Sequence, residues 1–513
     1  MPDWSAGYVA DIGYTYGTYA ELNPERMRLA LLMAGIVPPE TGTACELGFG
    51  QGMSVNMHAA GSDTRWYGTD FNPSQAAFAQ ELAAISGANA HLYDQSFAEF
   101  CSRTDLPDFD FIGLHGIFSW ISDENRAIIV DFIRRKLKVG GVLYISYNTQ
   151  PGWAAMAPVR DLMTEYASVM CAPGQGSVAR VEQSLAFVDK LFASNPKFVQ
   201  TNPAAKARFD RLKGQSRAYL AHEYFNRDWL PLTFAQMAHW LEPAKVGFAC
   251  SAHYLDHIDA VNLTPDQRQL VAELTDVQLA QTVRDFIVNQ TFRRDYWIHG
   301  ARRIGSQAQE KLLGETRVAL TTPRAEVTFT APGPVGEIQL NTNIYTPLLD
   351  FLADHQPHTI DELIAHGTAV HQLTRNQVLQ ALFILTGIGT VAVLRREEAS
   401  VKARPATQRL NMHVCTLALS SPEFQQLVSP VTGGAIAVDS MQMMFILARA
   451  QGQNDVEQWA QFAHAALVRQ GRRLLVDGKA AESDEQQSRT LMTRAVSFRD
   501  TTLPILRTLG VVD

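Results

Sequence analysis

The stretch Cys45-Glu46-Leu47-Gly48-Phe49-Gly50-Gln51-Gly52 constrains this chain more than any other. An apolar lead-in, an acidic residue and three glycines at alternate positions predict a buried strand that turns tightly and enters a helix. Glycine removes the Cβ that would block close approach of a ligand to the backbone, and the following helix begins with unsatisfied N–H groups. Further on, Trp66-Tyr67-Gly68-Thr69-Asp70 reads as a second strand ending in a carboxylate placed to accept ribose hydroxyls. The spacing G-x-G-x-G lacks the third glycine of the dinucleotide fingerprint. Glu46, Gly48, Gly50, Gly52 and Asp70 therefore form a candidate nucleoside-cofactor site, against the alternative of a glycine-rich structural turn.

The flanking sequence predicts the rest of an α/β layer. Asn23-Pro24 opens a helix with asparagine at the cap and proline in the first turn. Asn72-Pro73-Ser74-Gln75 has the spacing of a capping box and starts a helix that Gly87 breaks. Strands are expected at Ala90 to Asp94, at Phe109 to Gly116 and at Val139 to Asn148, with a helix from about Asp123 to Leu137 before the last. Strands alternating with helices, without clean apolar alternation, indicate a sheet covered on both faces. Ligands bind outside the carboxyl ends of such strands. The glycine turn, Asp70, Asp94, His115 and Asn148 all fall on that rim. Asp94 can receive an adenine amino group or serve as an ordinary helix cap. Tyr8, Tyr14, Tyr16 and Tyr19, broken by Gly13 and Gly17, form either a lid of phenol rings or an arm packed on the surface.

With these pieces in hand, residues from about Tyr14 to Trp153 resemble a class I S-adenosylmethionine-dependent methyltransferase. The resemblance rests on Glu46 to Gly52, Gly68-Thr69-Asp70, His115-Gly116-Ile117-Phe118-Ser119-Trp120, Leu137 to Gly141 and Tyr147 to Trp153. The subgroup is bacterial, carries a methyltransferase regulatory domain and includes protein-lysine methyltransferases acting on outer-membrane proteins. It implies a Rossmann-like sheet, S-adenosylmethionine as cofactor, a glycine loop holding its methionine part, Asp70 on the ribose and Asp94 facing adenine. Phe49 departs from the cysteine common in relatives, at a side chain that need not touch ligand.

Methyl transfer needs in-line approach of a lone pair to a sulfonium methyl, and orientation supplies much of the rate. A base helps when the nucleophile is a hydroxyl or a protonated amine. His115 is the candidate for that role or for polarising the substrate, and also a candidate cofactor contact. Tyr14, Tyr16, Trp120, Tyr147 and Trp153 offer faces to a cationic amine or sulfonium, or simply pack. Asn148 can hydrogen-bond an incoming nitrogen, but it lacks the N-P-P-Y signature of amide and nucleobase N-methyltransferases. Candidate catalytic residues are thus His115, Tyr14, Tyr16 and Asn148. Candidate substrate contacts are Trp120, Tyr147 and Trp153, joined by His222, Glu223 and Tyr224 from the next segment, which line the acceptor cleft or form an interdomain network. Adjacent helix positions diverge, so His222 and Glu223 do not make a metal site, and no metal is expected.

A chain of 513 residues is too long for one core. The expected divisions are 1–158, the cofactor domain with its arm; 159–320, a mostly helical regulatory or substrate domain; 321–400, a linker and winged-helix-like unit; and 401–513, a mixed accessory segment packed on the winged helix. In the third unit the helix from Thr374 to Leu385 offers only Arg375, Asn376, Gln377 and Gln380. That short basic reach, with a formal net charge of -8, argues against nucleic acid and for a docking module. Five scattered cysteines without C-x-x-C, and an N-terminus unlike a signal peptide, point to the cytoplasm. The apolar run Leu379 to Leu394 is too interrupted for stable membrane insertion. The expected activity is methyl transfer from S-adenosylmethionine, with a protein lysine amine as acceptor on the resemblance alone. The rivals are a small-molecule O- or N-methyltransferase and a non-enzymatic scaffold that keeps the fold. Oligomeric state is open, and a homodimer is allowed.

Overall fold

The computed structural model describes residues 7–172, 174–334, 336–476 and 479–513. Its centre is β1 (Thr43–Leu47), buried at every position. A strand buried on both faces is mostly apolar or small and lies between others, and Glu46 is the exception here. It pairs in parallel with β2 (Arg65–Asp70) and β4 (Phe109–Leu114). Beyond β2 lies β3 (Ala90–Asp94), and beyond β4 lies β5 (Leu137–Asn148), all parallel. Helices α1 (Pro24–Met33), α2 (Met53–Ala60), α3 (Pro73–Ser86), α4 (Phe97–Cys101) and α5 (Asp123–Lys136) belong to the same layered unit.

Two further strands close the sheet. β6 (Gly247–Ser251) and β7 (Phe292–Ile298) extend it to seven, in the order β3-β2-β1-β4-β5-β7-β6. β7 runs antiparallel to both neighbours. The segment from 159 to 320 is largely helical, as expected, but it also holds β6 and β7, so the helices from Ala157–Met170 to Phe234–Leu241 are an insertion between β5 and β6. The strand at Phe292–Ile298 was hidden by its charges. Arg293 is buried because it bonds Asp285 at 2.6 Å and Asp295 at 2.8 Å, so the ionic side chains are paired where a sequence reader expects solvent.

The inserted helices build their own core from Trp153, Met163, Val188, Phe209 and Tyr224. The next unit has helices Thr342–Phe351, Ile360–His371 and Arg375–Gly387 with a small sheet. In that sheet Val391–Leu394 pairs with β8 (Arg317–Leu320), which also takes His358–Thr359 on its other edge. The wing strand therefore pairs with an upstream partner, and β8, which precedes residue 321, is the central strand of this small sheet. The helix Arg375–Gly387 is buried over much of its length, with Phe383 stacked on Tyr254 at 4.1 Å. Arg375 is engaged internally, with Asp361 at 3.6 Å and the Glu310 carbonyl at 3.2 Å.

The C-terminal segment packs on the main sheet's helices as well as on this unit. Met53 and Met57 of α2 and Leu82 of α3 share a core with Leu410, Val414, Met443, Met444 and Phe445, while Ala319 and Leu394 are the contribution from the preceding unit. The segment expected to pack on the winged-helix-like unit thus does so through Ala319 and Leu394 and also covers α2 and α3. Among the described residues no helix is long and apolar enough to cross a membrane.

Candidate functional site

The glycine turn after β1 needs three residues in the left-handed region: Gly48 at φ 73°, Gly50 at φ 56° and Gly52 at φ 71°. The three do different work. A Cβ on Gly52 would lie 2.4 Å from the Ala79 Cβ, so Gly52 lets α2 and α3 pack and does not line the cleft. Gly48 and Gly50 face a cleft with about 1350 Å³ of empty space, its open mouth included. Gly50 N–H donates to Asp70 Oδ2 at 2.9 Å, and Asn72 N–H donates to Oδ1 at 3.0 Å. The acid ending β2 thereby ties down the turn, and each oxygen keeps acceptor capacity toward the cleft. Burial pushes the Asp70 carboxyl up to about 6, against the pull of those two N–H groups.

Glu46 is 2 % exposed and lines the same space. Its Oε2 has no protein partner. Burial first, and the nearby Asp70 second, push its carboxyl up to about 8. A buried carboxylate oxygen left unpaired at a cleft is costly unless a ligand supplies the donor. Asp94 sits opposite Asp70 in register but is exposed, and Gln95, Ser96 and Phe97 line the cleft in its place. The helix cap is also not Asp94: Ser96 and Glu99 form a reciprocal capping box. Asn72 caps α3 through Ser74 N–H, and Gln75, expected as its box partner, lines the cleft.

His115, just past the end of β4, lines the cleft half-buried between rings. Tyr19 stacks on it at 3.5 Å, and its Nδ1 shares a 2.8 Å hydrogen bond with the Tyr144 hydroxyl. Burial drives its imidazole down to about 3, with Arg294 adding to the effect and Glu21 opposing it. A ring so weakly basic keeps only its single N–H near pH 7 and is a poor proton acceptor. Of the arm, Tyr8, Tyr14 and Tyr19 reach the cleft. Tyr16 turns away and packs on Phe78 at 5.4 Å and on Phe424 of the C-terminal segment at 4.6 Å.

The opposite wall comes from the helix Arg217–Tyr224. Residues three and four apart share a helix face. Tyr219, His222 and Glu223 accordingly line the cleft, while Leu220, Ala221 and Tyr224 enter the core of the inserted helices. Glu223 accepts from Asn148 Nδ2 at 3.3 Å. Burial pushes its carboxyl up to about 7, opposed by that hydrogen bond and by Arg208. Trp120 lines the cleft and donates from Nε1 to the Glu223 carbonyl at 3.3 Å. Tyr147 is one residue from Asn148 on β5 and so points to the other face of the sheet. Its hydroxyl donates to Asp295 at 3.1 Å, in full burial. Trp153 is likewise interior, with Arg208 over its ring at 3.9 Å. Tyr147, Trp153 and Tyr224, expected at the substrate, are packing residues.

This geometry can be set beside known proteins. The Synechocystis protein sll1526 is 38% identical over 513 residues, covering 99% of each chain. The chain belongs to the family of sll1526. Residues 216–299 match the family described as a predicted methyltransferase regulatory domain. PKMT2 from Rickettsia typhi, solved in complex with AdoHcy, superposes with a TM-score of 0.70 at 15% identity, over 96% of this chain and 99% of that one. A second structure of PKMT2 gives a TM-score of 0.68. The likeness at that identity is one of fold. The chain therefore carries a class I methyltransferase fold with its regulatory domain, and the matched residues 216–299 supply both the helix bearing Glu223 and the strands β6 and β7.

Tyr219 and Gln75 are cleft residues that reading the sequence missed. Helical spacing from His222 and Glu223 was the available signal for Tyr219. Gln75 had been assigned to a cap.

Proposed function

We propose that the chain transfers a methyl group from S-adenosylmethionine to an amine, and that this amine is a lysine side chain of a protein. The observation that carries the reading is one cleft with two chemically distinct walls. On one wall Gly48, Gly50, Asp70 and Glu46 fit the cofactor: Asp70 offers acceptors to ribose hydroxyls, and the unpaired Glu46 oxygen suits an α-ammonium. On the other wall Glu223, held from behind by the buried Asn148, stands among Tyr8, Tyr14, Tyr219 and Trp120. When bound, S-adenosylmethionine supplies an electrophilic methyl on a sulfonium sulfur. The residues around it exclude water, fix the direction of approach and stabilise cationic groups through ring faces.

Lysine as the acceptor is supported by the full-length likeness to PKMT2 and by the regulatory domain. In this reading the three-helix unit around Arg375–Gly387 is a docking module and not a nucleic-acid reader. All five cysteines are buried and free, which supports work in a reducing compartment such as the cytoplasm. Incubation with radiolabelled S-adenosylmethionine and native lysate should place label in the protein fraction, recovered as methyl-lysine after hydrolysis. Label found only in extractable metabolites would overturn the lysine assignment.

The arm is part of the same cleft. Tyr16→Ala removes its anchor on Phe78 and Phe424 without touching the cofactor wall. Aromatic pairs contribute about 0.5–1.5 kcal/mol beyond area, so affinity for S-adenosylmethionine should fall about threefold to tenfold. Calorimetry reads the affinity, and limited proteolysis should cut the arm faster in the variant.

A further inference from the structure

This inference rests on the methyl-transfer reading and adds the group that frees the acceptor's lone pair. We propose that Glu223, held by Asn148, receives the proton of an acceptor ammonium, so that the cleft takes primary or secondary amines and not alcohols. Three observations place it there. Glu223 is half-buried on a cleft-facing helix position, across from the glycine turn and Asp70. Its Oε1 is fixed by Asn148, itself buried at the end of β5, and its main chain is fixed by Trp120. Among the described residues it makes no ion pair, so an entering ammonium finds a carboxylate not already bonded to a cation.

The surroundings favour this exchange from each side. Tyr8 and Tyr14 approach from the arm, and Tyr219 and Tyr224 belong to the same helix as Glu223. Asp70 acts across the cleft on Tyr8. His222 is occupied by the Ile12 carbonyl at 3.1 Å. Arg208 is the cation that acts on Glu223, and its guanidinium is committed to the Trp153 ring and to the Gly152 carbonyl at 2.9 Å. Rings facing a carboxylate form a place for a cation.

A carboxyl pushed up to about 7 is matched to an ammonium, whose usual value is about 10.4, and not to a hydroxyl, for which water at about 15.7 sets the scale. The step balances simply. The ammonium N–H proton passes to Glu223, the freed lone pair forms the N–C bond, and the electron pair of the broken S–C bond stays on sulfur. The products are a methylated ammonium, which now carries the positive charge, a neutral thioether and a protonated Glu223 that returns its proton to water.

The test begins without turnover. Wild type and Glu223→Gln are each saturated with S-adenosylhomocysteine, and their infrared carboxyl bands are followed against pH. The band present only in wild type should vanish near pH 7, and n-butylamine should move that midpoint down while n-butanol leaves it in place. A midpoint unmoved by the amine, or moved equally by the alcohol, overturns the proposal. In turnover with lysine peptides, Glu223→Gln should lose about 100-fold or more in kcat at pH 7 with KM for S-adenosylmethionine unchanged. Its rate should then climb about tenfold per pH unit toward the amine's own value, where wild type is flat. An unaltered pH profile also overturns it. Calorimetry separates the two levels: a wild type that binds no S-adenosylmethionine refutes the methyl-transfer reading itself, whereas normal binding with a silent infrared arm refutes only the role of Glu223.

Discussion

Asp70→Ala is expected to weaken S-adenosylmethionine binding by about 100- to 1,000-fold while leaving the chain folded. Two losses combine. The ribose hydroxyls lose charged acceptors, each such hydrogen bond being worth about 1.5–3 kcal/mol, and each 1.4 kcal/mol is about tenfold in affinity. The glycine turn also loses its tie, because Gly50 N–H and Asn72 N–H both donate to this carboxylate. Asp70→Asn separates the two losses. The amide keeps one acceptor oxygen but points an NH2 at a backbone N–H, so an intermediate loss of about tenfold or more is expected. Calorimetry gives the affinity and a urea melt checks the fold. Folding itself should suffer little, since the wild-type carboxyl already sits in a place that raises it to about 6. Near-normal binding by Asp70→Ala would mean that the ribose is held elsewhere, and the assignment of this rim would fall.

The cofactor wall was legible because its demands are local. Positive φ at Gly48, Gly50 and Gly52 requires glycine, and a central strand buried on every residue requires the composition of Thr43–Leu47. The acceptor wall was legible only in part, because facing depends on parity that residue type does not carry. Asn148 reaches Glu223 while its neighbour Tyr147 is turned to Asp295, and Glu223 reaches the cleft while Tyr224 is turned into a core. Aromatic residues attracted the substrate assignment, yet of these only Trp120 lines the cleft, while Trp153 and Tyr147 were claimed by packing. The last two strands of the sheet escaped notice for the opposite reason. Paired charges at Arg293 and Asp295 look exposed in a sequence and are among the most buried in the fold.

Glu46 yields the second large effect, and its sign follows from the direction of the shift. The folded-state carboxyl stands at about 8, above its ordinary 4.5. Between those values the unfolded chain has lost a proton that the native state keeps, so this group takes stability away as pH rises through the window, and the loss is complete above about pH 8. A cationic ligand reverses the preference, because an α-ammonium at the unpaired oxygen favours the ionised form. Binding of S-adenosylmethionine between about pH 6 and 8 should therefore release close to one proton, and affinity should rise about tenfold per pH unit before flattening above 8. Calorimetry in two buffers of different ionisation enthalpy measures that proton directly. Glu46→Gln should abolish the release in this window, weaken binding about 100-fold at pH 8, and raise the melting temperature of the ligand-free protein by several degrees at the same pH. The stability gain and the affinity loss have one cause, a charge that the empty cleft penalises and the ligand requires. Proton release that persists in Glu46→Gln, or a variant that binds as tightly as wild type, would place the α-ammonium on another group.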